Sequence, residues 1–154
     1  MSEPVTVEIS RLRDHTDSGS VELPRYMSPG AVGMDVRAAL DQELTLPPGG
    51  RAAVPTALAA AVPPGWEIQV RPRSGLAIKH GITVVNAPGT IDPDYRGEIR
   101  ILLVNLGDHR YTIRHGDRIA QLILCPVGRV AWRERDSLEN TDRGDGGFGS
   151  TGVR

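Results

Sequence analysis

Four stretches of the 154-residue chain carry side chains in patterns that could do chemistry. In VRPRSGLA (70–77) a strand-like run meets Pro72, and Arg73 and Ser74 stand where a short helix would begin. Free backbone N–H groups, a hydroxyl and a guanidinium converging at a helix start make a cradle for phosphate. The same residues also read as an ordinary capped turn with an exposed arginine. In VVNAPGTIDPDYRGEI (84–99) two strand-like runs flank Asn-Ala-Pro-Gly, which reads as a hairpin tip. Such a tip can offer backbone groups to the edge of a planar ligand, and Asn86 adds an amide donor and acceptor. Asp92 could orient and deprotonate a water; Asp94, Tyr95 and Arg96 follow at once. The competing reading is a turn rich in Pro, Gly and Asp for conformational reasons alone.

In RHGDRIAQLIL (114–124), His-Gly-Asp reads as a turn into a strand, and Gln121 is a polar residue in an otherwise apolar run. Such a residue ordinarily faces solvent. The histidines show no metal-ligand spacing, so solvated surface is expected for His115 and the other three. The chain ends TDRGDGGFGSTGVR (141–154), with five glycines and the sole phenylalanine, Phe148. Composition alone reads this as a frayed tail. It lacks the lysine and following helix of a phosphate-binding P-loop. Arg143, Ser150, Thr151 and the glycine N–H groups nevertheless suit a segment that wraps a polyphosphate, and Phe148 could lay its ring on a base.

The elements that would position these residues read as β-structure. Eighteen glycines and twelve prolines punctuate the chain at short intervals. Between them lie VTVEI (5–9), EIQVR (67–71), GITVV (81–85), EIRILLV (98–104), RYTI (110–113) and DRIAQLILCPV (117–127). Many short strands between turn signals predict an all-β sandwich, jelly roll or barrel. RAAVPTALAAAVP (51–63) is alanine-rich enough for a helix, but Pro55 and the flanking proline pairs make it strand. One short helix is expected at SGLAIKH (74–80), with Ser74 as its N-cap and Gly81 as its stop. RERDSLENTD (133–142) lacks apolar periodicity and reads as a solvated connection, giving a body over 1–132 and an appended segment over 133–154.

Bulk composition excludes several function classes. The chain is 39% hydrophobic and 24% charged with a formal net charge of −1, long enough for one domain with a real core. Its basic residues are scattered arginines, with Lys79 the sole lysine, so a nucleic-acid surface is not expected. The single cysteine, Cys125, permits no intrachain disulfide or cysteine-based metal site and is expected to be a small buried hydrophobe. The charged N-terminus lacks the apolar core of a signal peptide, and no apolar run is long enough to span a membrane. A soluble cytoplasmic protein is the expectation.

Taken together and in order, five stretches carry a resemblance: GMDVRAA (33–39), RPRSGLA (71–77), NAPGTIDPDYRGEI (86–99), GDRIAQL (116–122) and RGDGGFGSTG (143–152). They resemble the ordered motifs of the trimeric deoxyuridine triphosphate nucleotidohydrolases, the dUTPases. The first departs most, with Val36 and Arg37 where leucine and an aromatic or similar residue are common, but Asp35 is intact. The resemblance implies a jelly-roll β fold, a homotrimer with shared active sites, and a C-terminal arm that closes over a neighbour's site. It implies hydrolysis of dUTP to dUMP and pyrophosphate, which keeps uracil out of DNA and supplies dUMP for thymidylate synthesis. Asp92 is then the catalytic aspartate, orienting water and meeting the deoxyribose 3′-OH. Asn86, Gly89, Thr90 and Ile91 grip uracil, Tyr95 packs on the sugar and excludes a 2′-OH, and Phe148 covers the base. Arg73, Ser74, Gly75 and Gln121 contact phosphates from the body; Arg143, Ser150 and Thr151 contact them from the arm. Mg2+ is implied as cofactor, held mainly by triphosphate and water, with Asp35 acting through a water.

Two rivals stand beside that reading. A dCTP deaminase-type relative would share the fold but differ at the base-side residues. A catalytically silent trimeric regulatory or binding protein would lack Asp92, Tyr95 or Arg143, all of which are present. A zinc-type deaminase is excluded, because one cysteine cannot supply its ligands. Trp66 and Trp132 are expected to be packing residues, Asp94 and Arg96 to serve turn and interface structure, and Asp117 and Arg118 to form a structural pair inside or between subunits. Asp145 and the polar stretch 12–30, with Asp14, His15 and Asp17, receive no role.

Overall fold

The computed structural model describes residues 3–12, 19–150 and 152, so Asp14, His15, Asp17 and Thr151 lie outside the described residues. Among those described, the chain forms twelve strands and one helix, all strand pairs antiparallel. The largest sheet runs β2 (Arg25–Tyr26), β3 (Met34–Arg37), β12 (Arg118–Pro126), β7 (Trp66–Arg71), β9 (Gly89–Ile91). A second sheet has β10 (Arg100–Asn105) between β5 (Arg51–Pro55) and β8 (Ile82–Val84). Two ribbons pair β1 (Glu8–Arg11) with β6 (Leu58–Ala61) and β4 (Leu44–Leu46) with β11 (Tyr111–Ile113). Alternation drives the assembly. Ile68 and Val70, Ile101 and Leu103, and Ala120 and Leu122 point inward on their strands and join one apolar cluster fed by both sheets and both ribbons. The result is a jelly-roll-like all-β body enclosing one main core, with a small satellite cluster of Val21, Ala39 and Ala57.

The alanine-rich run 51–63 is strand, as its prolines predicted, but it forms two strands rather than one. Thr56 and Ala57 turn the chain between them, with Ala57 in the left-handed region at φ 55°. Helix α1 (Ser74–His80) ends as expected, with Gly81 at φ 67° donating to Ala77. A Cβ there would sit 2.4 Å from the Gly107 nitrogen, so this close backbone approach requires glycine twice over. The helix start differs from expectation. Arg73 is the extended N-cap, no side chain caps it, and Ser74 is already helical. The N–H groups of Leu76 and Ala77 both bond the Arg73 carbonyl, which sets the boundary one residue earlier.

The apparent hairpin around 86–89 is also corrected. β8 pairs with β10 and β9 with β7, so the two runs enter different sheets and Asn-Ala-Pro-Gly is a corner between them. The reason is close packing: Gly89 stands opposite Val70, and a Cβ on it would lie 3.2 Å from that side chain. At the N-terminus β1 covers Glu8–Arg11, not 5–9. Trp66 packs against the core as expected, whereas Trp132 is 93% exposed. It lies beyond β12, in a stretch from 128 to 140 where every residue is exposed. His115 is half-buried instead of solvated, its Nδ1 accepting the Leu40 N–H at 3.3 Å. Cys125 is half-buried.

Asn105 is the polar fixture of this body. It is fully buried, and its amide donates to the carbonyls of Leu46 (2.9 Å) and His109 (2.7 Å) while accepting from Gly107 N–H (2.9 Å). It thereby ties β10, β4 and the loop into β11. Asn105→Ala would leave three buried or half-buried backbone groups unpaired, each costing ~1–3 kcal/mol. The expected outcome is a stability loss on the order of 3 kcal/mol, seen as a thermal midpoint several degrees lower.

Candidate active site

The central strand β12 determines where the polar residues land. It pairs with β3 on one side and β7 on the other, so Asp35, Gln121 and Arg71 stand in one row across three strands. All three point away from the core, because Val36, Leu122 and Val70 beside them point into it. Strict alternation would send Arg118 inward with Ala120 and Leu122. A register shift between Arg118 and Ala120 prevents this: Arg118 stands opposite Arg37 and Ala120 opposite Val36, leaving Ile119 as the extra residue. This β-bulge buries Ile119 and Ala120 together and turns Arg118 to the outer face.

On that face the Asp35 carboxylate lies between two guanidiniums. Arg73 Nε is 3.2 Å from one oxygen and Arg118 Nη1 is 3.0 Å from the other, with Asp35 only 16% exposed. Arg73 Nη1 also donates to the Arg118 carbonyl at 2.9 Å. Two positive charges against one leave a net positive cluster, and Arg73 Nη2 has no partner among the described residues. Gln121 donates to the Pro72 carbonyl at 2.9 Å, anchoring the turn that carries Arg73. Burial pushes the nearby Tyr111 phenol above its ordinary pKa; the Asp117 carboxylate adds to this and the Arg73 guanidinium opposes it. Ser74 and Gly75 are exposed on the first turn of α1, and a Cβ on Gly75 would meet nothing within 4 Å.

The expected base-side residues converge elsewhere. A cavity of about 190 Å³ is lined by Asn86, Gly89, Thr90, Ile91 and Tyr95 together with Val70, Glu98, Ile99, Arg100 and Leu102. Tyr95 is held in place: its hydroxyl donates to the Glu98 carbonyl at 2.9 Å, and its ring lies so close to Gly97 that a Cβ there would sit 2.5 Å from the oxygen. Asp92 follows Ile91 directly and is exposed; its carbonyl accepts the Tyr95 N–H at 3.2 Å, closing a tight turn. Arg96 donates to the carbonyls of Pro93 (2.6 Å) and Tyr95 (2.9 Å), the turn-holding role expected of it.

The two groups do not meet within one chain. β12 and β7 separate Asp35 on β3 from Gly89 on β9, three strand spacings or roughly 14 Å. Val70 and Ile91 at the cavity face inward, while Asp35 and Gln121 face outward. The C-terminal residues join neither group. Arg143 Nε donates to Gly146 within its own turn (2.7 Å), Ser150 is exposed, and Phe148 is fully exposed at φ 49°. Asp117 and Arg118 do not pair with each other. Asp117 accepts the Arg114 N–H at 2.8 Å, while Arg118 holds Asp35, because the bulge directs it there.

A family model described as dUTPase matches residues 19–152. The chain belongs to the dUTPase family. It is 59% identical over 137 residues to the deoxyuridine 5′-triphosphate nucleotidohydrolase of Desulfotalea psychrophila, covering 89% of this chain and 91% of that protein. It is 55% identical over 155 residues to the one from Methylocella silvestris, covering 99% and 95%. In fold it resembles the dUTPase of Staphylococcus bacteriophage 80alpha with dUPNHPP, at a TM-score of 0.83 and 23% identity, covering 96% of this chain and 99% of that one. A dUTPase of S. aureus phage phi11 that coordinates a structural Mg(II) ion matches at TM-score 0.75 and 20% identity, over 88% and 100%.

Sequence reading missed the residues that hold others in place in this dUTPase: Arg118, Gly33 and Gly97. Gly97 carried a usable signal, two residues from the Tyr95 ring it must clear, whereas the Gln121 that crowds Gly33 is remote in sequence. A Cβ at Gly33 would lie 2.2 Å from Gln121 Oε1. Gly33→Ala should therefore push the carboxamide off Pro72 and cost about 1–2 kcal/mol. The penalty should largely vanish in a Gln121→Ala background, a coupling of about 1 kcal/mol in a double-mutant cycle read by denaturant unfolding.

Proposed function

We propose that this chain hydrolyses the α–β phosphoanhydride bond of dUTP, giving dUMP and pyrophosphate, at sites shared between copies of the chain. The observation that carries the reading is the cavity in which Asn86, Gly89, Thr90, Ile91 and Tyr95 come together with Asp92 next in sequence. Uracil is held by the corner at 86–91. A cytosine would present a donor where uracil presents an acceptor, and the unpaired groups make that rejection strong. Tyr95, fixed against Gly97, walls the sugar and leaves no room for a 2′-OH.

Asp92 orients a water for in-line attack on the α-phosphorus and takes its proton. The new P–O bond forms as the bond to the bridging oxygen breaks, and pyrophosphate leaves. No covalent nucleophile is required; positioning and charge neutralisation supply the acceleration. Arg73 reaches the phosphates with its unpartnered Nη2, its orientation held by Asp35 and the Arg118 carbonyl. Ser74 and Gly75 present backbone N–H groups from the first turn of α1, and the open space before Gly75 allows close approach.

The residues present suit magnesium of one kind only. Among those described, no three His, Cys, Asp or Glu side chains group to cage a metal. Asp35 has both oxygens against guanidiniums, which suits contact through a water to an ion held chiefly by phosphates. Bound there, Mg2+ would neutralise charge on the triphosphate.

Sharing between subunits is supported by the separation of the two groups across three strand spacings of one sheet. A homotrimer brings the outer face of one copy to the cavity of another. Residues 1–132 form the body and 133–154 an arm that closes over a neighbour's site, bringing Arg143, Ser150 and Thr151 to the outer phosphates and Phe148 to uracil. The arm's own bonds support this: every hydrogen bond of residues 141–150 closes within the arm. No helix among the described residues is long and apolar enough to cross a membrane, in keeping with action in the cytoplasm.

Pyrophosphate release with Mg2+ from dUTP, dCTP, dTTP and UTP tests the reaction. Hydrolysis should be confined to dUTP, fall on the order of 10³-fold in kcat in Asp92→Asn, and be crippled in a chain ending at Asp142. Ammonia from dCTP in place of pyrophosphate from dUTP would turn the reading to a deaminase. Sharing has its own test. Asp92→Asn and Arg73→Ala chains, each inactive, should regain roughly one quarter of wild-type activity when co-refolded at equal amounts, because mixed sites draw each residue from a different copy. Activity no higher than the sum of the two would confine each site to one chain.

A further inference from the structure

The turn at Thr56–Leu58 belongs to none of the motifs, yet the wall of the nucleoside cavity hangs on it. Three hydrogen bonds join this turn to residues 98 and 99. The fully buried Thr56 hydroxyl donates to the Ile99 carbonyl at 2.6 Å, the Ile99 N–H donates to the Leu58 carbonyl at 2.8 Å, and the Ala57 N–H donates to the Glu98 carboxylate at 2.9 Å. Thr56 Oγ1 also accepts the Leu58 N–H at 3.3 Å. Glu98 and Ile99 themselves line the cavity.

Ala57 is 94% buried and sits at φ 55°, a conformation that costs any residue with a Cβ. Such an outlier persists only where its surroundings over-determine it. The surroundings here are specific: its N–H is held by Glu98, and its carbonyl accepts the Leu12 N–H at 2.9 Å. Glu98 is bonded at both ends. Its side chain holds the strained turn, and its own carbonyl receives the Tyr95 hydroxyl. Its carboxylate is 23% exposed and has Arg100 Nε at 3.7 Å, so it is anchored from a second side.

We infer that Glu98 is a positioning residue for sugar selection, fixing Tyr95 against the deoxyribose by tying residues 97–99 to the strained Thr56–Leu58 turn. This rests on the reading of Tyr95 as the wall that excludes a 2′-OH. Glu98 does not touch the reacting phosphorus in this account. It acts through the position of the Tyr95 ring, so its removal should alter discrimination between dUTP and UTP more than turnover.

The test compares kcat and KM for dUTP and UTP, with thermal midpoints, in the full-length chain and its variants. Glu98→Ala should lower the dUTP-to-UTP ratio of kcat/KM roughly tenfold, chiefly through KM, with kcat for dUTP within about threefold. Glu98→Gln keeps an oxygen acceptor for the Ala57 N–H and should stay within about threefold of wild type in that ratio. Adding Ala57→Gly to Glu98→Ala should restore part of the ratio, because glycine holds φ 55° without the carboxylate. A Glu98→Ala chain that melts lower but keeps the wild-type ratio would overturn the inference and leave Glu98 a stabilising residue only. Should Glu98→Ala fail to fold, Thr56→Val decides: a lowered ratio supports the inference, and an unchanged one overturns it. A wild-type chain that discriminates dUTP from UTP while Tyr95→Phe and Glu98→Ala both leave the ratio intact overturns the inference and spares the dUTPase reading. A wild-type chain that releases no pyrophosphate from dUTP overturns both.

Discussion

The structure depends on β12 pairing with two strands at once. A strand held on both sides has one register on each, and a slip of one residue would exchange its inner and outer faces. Ala120 and Leu122 in the core therefore place Gln121 outside, opposite Asp35 and Arg71. The bulge at Ile119 departs from that alternation and sends Arg118 to the outer face without sending an apolar residue with it. The Arg73–Asp35–Arg118 cluster thus follows from apolar burial on the opposite side of the same strands. Half-burial of Asp35 makes these contacts stronger than surface ion pairs, which are worth little. The surplus positive charge is what an anion would meet.

The cavity lined by Val70, Gly89, Thr90 and Ile91 lies at the β7–β9 edge of the same sheet, three strands away from that cluster. That division explains why a small all-β body can hold so many ligand-directed residues without filling its core with polar groups. Among the described residues, Thr56 and Asn105 are the buried polar side chains, and both are fully bonded to backbone. Their rigidity supports the two loops, at 97–99 and 106–110, that neither sheet ladder holds. In the proposed assembly the separation of cavity and cluster within one chain means that a second copy completes each site.

Much of the fold was legible from periodicity. β7 and β10 are six residues long and alternate in burial, whereas β12 is long but broken in period by its bulge. β2, β3, β4 and β9 are four residues or fewer, and their strand character comes from the neighbours they pair with rather than from their own pattern. Alternation in 82–84 and 89–91 shows which residues face inward but not which sheet receives each run, and so a corner passed for a hairpin. The candidate site could be picked out where a residue type suggests its chemistry, as with Asp92, Tyr95 and Arg73. It was illegible where a role depends on placement. Arg118 needs the bulge, Glu98 needs the Thr56–Leu58 turn, and neither leaves a mark within its own few residues.

The C-terminal segment is where composition misleads most. Five glycines in fourteen residues suggest featureless coil. Instead Gly144, Gly146, Ser150 and Gly152 each donate back three residues, to Thr141, Arg143, Gly147 and Gly149, forming a run of tight turns. Gly144, Gly149 and Gly152 have positive φ, so these glycines serve turns rather than slack. A segment already folded into turns loses less entropy when it settles on a surface than a random coil does. Phe148 gains nothing from its own chain, since its ring stands fully exposed amid those turns. Covering that ring is a large apolar gain left to the segment, on the order of 2 kcal/mol for a fully buried phenyl group. Turn chemistry presents the ring; a neighbouring site that buries it would supply the closing force.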